Sequence, residues 1–279
     1  MSLARKKIYL GAAVFAVLFC CLCVLVFAQS AAAADGTAAI SAEGQFLLWL
    51  QEFARHPILT AILVPVSRSA DHGIIWIVLA VVLLALGIVL AAAGRRRAAA
   101  RQVYREAGDD SGTEEQTAAK PGAQGRERLR RAARHLVTVA VAAGIALLLS
   151  LLFVNILIKP AAMRARPYTE IESLELLVPE EKDFSFPSGH SSSGFAFAVA
   201  VFFALPKGKK RLGIPAIAYA AVVAYSRLYV GVHYPTDVII GALIGTGCGI
   251  LGALIAVKLR KIFEKAEMER SRKADRTEQ

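Results

Sequence analysis

The chain has 279 residues, 56% of them hydrophobic and 20% charged, and a net charge of +11. That is too apolar for a soluble domain of this length. The positive excess lies in segments between apolar runs, which is how topology-setting charge is placed, and it needs no nucleic-acid partner.

The apolar runs predict an all-α polytopic membrane protein with six spans, near 8–29, 74–93, 136–158, 190–205, 212–226 and 237–257. Most approach the roughly 20 residues that cross a bilayer core. The first reads as an uncleaved anchor, because its apolar run is long for a signal peptide. Residues 44–66 carry Phe46, Leu47, Leu48, Trp49 and Leu50, then a break at Pro57. They are expected to lie at the outer interface as a helix, not to form a seventh span.

Charge placement supports six spans. Arg5, Lys6 and Lys7 precede the first, and Arg95, Arg96, Arg97, Arg101 and Arg105 follow the second. Lys207, Lys209, Lys210 and Arg211 separate the fourth from the fifth, and Lys258, Arg260 and Lys261 follow the sixth. All these clusters fall on one side, which the positive-inside rule makes cytoplasmic, together with both termini. The loop 168–183 carries Glu170, Glu172, Glu175, Glu180, Glu181 and Asp183 and falls on the outer side. The expected organisation is an N-terminal pair over 1–93, a basic flexible linker over 94–134, a four-helix core over 135–257 and a basic tail over 258–279. Cys20, Cys21, Cys23 and Cys248 lie within apolar runs and read as packing residues. Gly241, Gly245 and Gly249 recur every four residues and suit close helix approach.

Three polar islands stand at the ends of these runs. The first holds Lys159, Arg164, Arg166 and Pro167; the second is Pro187-Ser188-Gly189-His190; the third holds Ser226, Arg227, His233 and Asp237. The six-span topology brings all three to the outer face. Charged groups at membrane depth are costly unless they act together. A Lys point charge and an Arg fork suit a phosphate. Ser188 is a natural N-cap, and exposed N–H groups at a helix start bind anions. Asp237, four residues after His233, can reach back to one ring nitrogen and leave the other as a base or nucleophile. Singly, each has a plainer reading: snorkelling cations, an ordinary cap, interfacial anchoring with Tyr225, Tyr229 and Tyr234. Two histidines and one aspartate among several cations make a poor metal site, so none is expected, nor any other cofactor.

The islands resemble the type-2 phosphatidic acid phosphatase family of membrane lipid phosphatases. Lys159, six residues and Arg166-Pro167 match its first motif; Pro187 to His190 its second; Ser226-Arg227, His233 and Asp237 its third. The likeness covers roughly 130–257, and Asp71-His72-Gly73 also looks similar to bacterial members. The resemblance implies that His233 attacks phosphorus to form a phosphohistidine, that Asp237 orients it, and that His190 protonates the leaving oxygen and then activates water. Lys159, Arg166, Arg227, Ser188 and the Gly189 N–H would hold the phosphate, with Arg164 as a helper. It implies a bacterial inner-membrane enzyme acting on undecaprenyl pyrophosphate, phosphatidic acid, phosphatidylglycerol phosphate or a lipid A headgroup. The partners implied are that lipid and the bilayer, with no nucleic acid; oligomeric state is left open. Vanadium-dependent haloperoxidases share the constellation but are usually soluble. An anionic-lipid transporter would carry its cations along a path at mid-depth.

Overall fold

The computed structural model describes residues 40–107 and 119–277. Helix α1, Ala42–Trp49, starts at Ser41, whose hydroxyl accepts the Gly44 N–H at 3.2 Å. It runs on as a π-helical turn, Leu50–Ala54. Leu47 and Leu50 point into the protein, while Phe46, Trp49 and Phe53 stand outward as a ladder of rings 5.9 and 6.0 Å apart. Arg55 and His56 are extended, as the residue before a proline prefers. Pro57 then opens α2, Pro57–Ser69. The break therefore comes where the sequence places it. It leaves two pieces of 13 residues, each about 20 Å long and too short to span.

A 3-10 turn, Asp71–Gly73, leads into α3, Ile74–Ala107. Helix α4, Ala119–Ser150, continues through a π-helical stretch, Leu151–Ile158, to a last turn, Lys159–Ala162. Met163, at φ 44°, stops it in the left-handed region. The short α5, Pro167–Glu170, and an irregular segment lead to α6, Gly189–Ala204. A 3-10 helix, Lys207–Gly213, precedes α7, Ile214–Tyr229. Finally α8, Pro235–Thr277, starts on a proline, which suits a first helical position.

Four described stretches are long and apolar enough to cross a membrane: Asp71–Arg96, Gln124–Glu170, Lys207–Tyr229 and Pro235–Arg270. They contain the predicted spans 74–93, 136–158, 212–226 and 237–257. The predicted span 190–205 coincides with α6, whose 16 residues measure about 24 Å. The predicted first span, 8–29, and residues 108–118 of the linker lie outside the described residues. Val78, Val82, Leu86, Ile88 and Val89 of α3 all face outward. So wide an apolar face is what hydrocarbon covers, and the chain is a membrane protein with several apolar helices.

Helix α6 is the centre of the bundle. Ala196, Ala198 and Ala200 are fully buried, enclosed by α4, α7 and α8. Trp76 of α3, also fully buried, packs its ring 5.4 Å from Phe197 and 5.6 Å from Tyr219. The glycine row of α8 lies on the α6 backbone: a Cβ on Gly241 would come 2.5 Å from the Ser188 carbonyl oxygen, and one on Gly245 2.2 Å from that of Ser192. This approach fixes the N-terminal ends of α6 and α8 against each other, and the Ser188 N–H donates to the Asp237 carbonyl at 2.9 Å. Second and third polar islands are thereby joined at the backbone.

Candidate active site

Two cations of the first island, Lys159 and Arg166, share the acceptor Asp183. Lys159 and Arg166 are almost fully buried, and the segment between α5 and α6 folds back over both. Asp183 takes the Lys159 ammonium and also accepts from Arg166 Nη2 at 2.5 Å. Arg166 Nη2 donates further to Glu181 at 2.6 Å, while Nη1 donates to the Val232 carbonyl at 2.9 Å. Arg227, from the last turn of α7, donates to the other oxygen of Glu181 and to Ser67 Oγ of α2. Three cations from α4, the loop before α5, and α7 thus meet around two carboxylates. Burial alone raises a carboxylate, but Arg227 and Arg166 outweigh it and hold Glu181 below its usual range. For Asp183, burial is likewise outweighed, chiefly by the Lys159 hydrogen bond and charge.

His233 sits in the turn between α7 and α8 and is fully buried. Its Nδ1 lies 3.4 Å from Asp237 Oδ2 and 3.4 Å from Ser185 Oγ. Its Nε2 faces the cage, 3.5 Å from Arg166 Nη1. Burial, then the Arg166 and Arg227 charges, hold the imidazole well below its ordinary pKa, so the ring is neutral at pH 7.

Asp237 has no exposed surface, and three donors compensate it. Ser185 Oγ donates to Oδ2 at 2.5 Å, the Tyr234 N–H to Oδ2 at 2.9 Å and Arg164 Nη1 to Oδ1 at 2.6 Å. Arg164 lies over the Tyr234 ring, 4.0 Å from its centroid, and also donates to Glu43 of α1 at 2.5 Å. The helper cation of the sequence reading therefore holds the aspartate, not the phosphate-sized space.

In the second island Ser188 caps α6, its Oγ accepting the Ser191 N–H at 3.4 Å. A Cβ on Gly189 would come 3.3 Å from Asn155 Oδ1. His190 pairs through Nε2 with Asp71 Oδ1 at 3.0 Å.

Lys159, His190, Arg227 and His233 line one cavity of about 1370 Å³, and Gly189, Glu181 and Asp183 share its wall. From that polar end the cavity runs along Ile77, Ala80, Val81 and Leu84 of α3 and Ala140, Val141, Gly144 and Leu148 of α4. It is a slot with ions at one end and hydrocarbon side chains along its length. Arg227 Nε is buried with no acceptor among the described residues.

The structure thus brings together Lys159, Arg164, Arg166, Ser188, Gly189, His190, Arg227, His233 and Asp237. Ser188 lies behind Gly189 as a cap, and Arg164 lies behind Asp237. It adds Glu181, Asp183, Ser185, Glu43, Ser67 and the Asp71–His190 pair. Of these, Asp71 carried a motif signal, its place in Asp71-His72-Gly73, and Glu181 and Asp183 were read as part of an acidic outer loop.

Residues 139–261 match the family model described as PAP2 superfamily. An undecaprenyl-diphosphatase from Sulfolobus acidocaldarius is 41% identical over 90 residues, 32% of this chain and 42% of that protein. A lipid A 4'-phosphatase from Bacteroides thetaiotaomicron is 36% identical over 110 residues, 38% of this chain and 48% of that protein. A crystal structure of a transmembrane PAP2-type phosphatidylglycerolphosphate phosphatase from Bacillus subtilis shares 24% identity. That likeness covers 84% of this chain and 94% of that one, with a TM-score of 0.47. The chain matches less than half the length of the two curated relatives.

Proposed function

We propose, from the match of residues 139–261 to the PAP2 superfamily model, that the protein hydrolyses a phosphomonoester or diphosphate on a membrane lipid through a phosphohistidine. One observation carries the reading: buried cations and two histidines line the end of a cavity whose length is apolar. Cations alone would suit any anion. An apolar slot running from them between two membrane helices suits a phosphate attached to a hydrocarbon tail.

The geometry supports the following chemistry. With Nδ1 turned to Ser185 and Asp237, the lone pair of His233 Nε2 is directed to the Arg166 side. Nε2 attacks phosphorus, the bond to the lipid oxygen breaks, and His190 gives that oxygen its proton. Water then attacks the phosphohistidine, His190 takes the water proton, and orthophosphate leaves with His233 restored. Lys159, Arg166 and Arg227 neutralise the charge on the equatorial oxygens, with the Gly189 N–H at the start of α6 as a further donor. Arg227 Nε, which has no acceptor among the described residues, supplies one further donor. Asp237 aligns His233 and stabilises the charge that develops on it.

In this reading six spans cross the inner membrane of a bacterium, with both termini in the cytoplasm and the active site at the outer face. The domain division is the one expected from the sequence: a catalytic core over 135–257 beside an N-terminal pair, a basic linker and a basic tail. The likeness to an undecaprenyl-diphosphatase and a lipid A 4'-phosphatase puts polyprenyl diphosphate and lipid A beside glycerolipid phosphates as substrates to be compared. The test is release of phosphate by purified protein, with EDTA present, from undecaprenyl diphosphate, phosphatidic acid, phosphatidylglycerol phosphate, lipid A and a soluble phosphate ester. Faster turnover of at least one lipid than of the soluble ester is expected. No release from any lipid would overturn the reading.

A further inference from the structure

One acid-bearing turn near the site has no part in the reaction as described. Asp71-His72-Gly73 forms the 3-10 turn between α2 and α3. It is an unusual backbone: His72 sits at φ 52° and Gly73 at φ 69°, two left-handed residues in succession. For histidine that conformation is strained. The turn is tied down by the Gly73 N–H, which donates to the Ala70 carbonyl at 2.9 Å, and it lies against Ser193 of α6. The result is that Asp71 reaches His190 and places Oδ1 3.0 Å from its Nε2. Both side chains line the cavity. His190 is 13% exposed and Asp71 47%, so the pair sits at the wet end of the site.

We propose that Asp71 is a positioning residue for His190: its carboxylate accepts the Nε2–H and leaves Nδ1 as the nitrogen that passes a proton to and from the reacting oxygens. This rests on the phosphatase reading above. The site then contains two histidine–carboxylate pairs with opposite tasks. Asp237 steadies a neutral nucleophile, and Asp71 steadies a ring that must carry a proton in order to donate it. A carboxylate at Nε2 stabilises the imidazolium and fixes which nitrogen faces it. In the first step the Nδ1 proton passes to the lipid oxygen as its bond to phosphorus breaks. In the second the proton of the attacking water returns to Nδ1. Nε2 keeps its proton, donated to Asp71 throughout, so protons balance over the cycle with no further group. The charged groups facing His190 are Asp71 from the turn, Arg227 from α7 and Glu181 from the segment before α6. Burial and Arg227 oppose protonation of His190, and the two carboxylates favour it.

A mere strut between the turn and α6 would also bring these residues together, so the experiment must separate the two. Asp71→Asn is assayed on a lipid phosphate, whose alkoxide leaving group needs a proton, and on an aryl phosphate, whose phenolate needs little help. On the lipid, kcat should fall roughly tenfold to hundredfold, within the range general acid catalysis supplies, with KM nearly unchanged. On the aryl ester the loss should be much smaller, which also shows that the variant is folded. The basic limb of the kcat profile should move to lower pH, because the imidazolium loses its counter-charge. Asp71→Glu should recover part of the rate. In a His190→Ala background Asp71→Asn should cost nothing more, since the two residues act as one unit. Equal losses on both substrates, or a further loss in the His190→Ala background, would overturn the proposal. So would normal lipid turnover by Asp71→Asn, which leaves the phosphatase reading standing. A wild-type protein inactive on every lipid phosphate would overturn both.

Discussion

Glu181 bridges Arg227 and Arg166, one carboxylate oxygen on each guanidinium. The two arginines are almost fully buried, whereas Glu181 keeps a quarter of its side chain exposed. The carboxylate holds the guanidiniums that a phosphate would need, so substrate and Glu181 compete for them. Glu181→Gln should therefore bind vanadate, a mimic of pentavalent phosphorus, about tenfold more tightly, a gain of ~1.4 kcal/mol. The same change should lower thermal stability, because it leaves buried positive charge uncompensated. Inhibition constants at several vanadate concentrations read the first effect and a melting curve the second. Unchanged or weaker vanadate inhibition would contradict the competition.

His233 differs from an ordinary histidine in pH response. Burial and two guanidiniums push its pKa well down, so the folded ring remains neutral through pH values at which a solvated histidine, near 6.5, takes up a proton. The sign for stability follows. Below about 6.5 the unfolded chain binds this proton and the folded chain does not, so this site's contribution falls as pH falls through that window. In a 15N-histidine spectrum, the resonance lost in His233→Ala should show no titration near 6.5. A midpoint at or above that value would contradict the electrostatic account.

Arg164 and Arg227 predict different kinetic signatures. Arg164 holds Asp237 at 2.6 Å and turns away from the cage. Arg164→Met should lower kcat, since Asp237 loses a compensating charge, and leave vanadate affinity close to wild type. Arg227→Met should weaken vanadate binding directly. Equal loss of vanadate affinity in both variants would place Arg164 on the phosphate.

The packing of α8 on α6 predicts a stability effect remote from the chemistry. Gly245→Ala puts a Cβ 2.2 Å from the Ser192 carbonyl oxygen, closer than any relaxed contact. The helices must separate, which costs about 1–3 kcal/mol and shifts the backbone link from Ser188 to Asp237. A lower melting temperature together with reduced activity is expected. Gly247→Ala is the control, since nothing lies within 4 Å of its Cβ. An unchanged melting temperature for Gly245→Ala would contradict the close approach.

Much of the site was legible in the sequence because its residues sit at chain positions where polarity changes abruptly. Lys159 ends an apolar run, His190 begins one, and Arg227 and Asp237 flank the turn between two others. Helical spacing and a proline were enough to bring Asp237 back to His233. The compensating groups were not legible. Glu181 and Asp183 belong to an acidic segment with no periodicity, which read as a marker of the outer face and in the fold also neutralises the cage. Arg164 lies between two phosphate-type cations in sequence, yet its partners are Asp237 and Glu43, 73 and 121 residues away. Such pairings depend on how the loop after α4 meets α1 and α8, and no local pattern records that. The break at Pro57 was local and was legible.

The central claim is a covalent phosphate on His233, and trapping it tests the account most directly. Purified protein is mixed with a 32P-labelled lipid phosphate, identified in the substrate panel, and quenched in denaturant at alkaline pH, where phosphohistidine survives. Label should appear on the wild-type chain within one turnover, in a peptide containing His233, and be absent from His233→Ala. Label retained by His233→Ala, or release of phosphate by wild type with no labelled protein at any quench time, would contradict it.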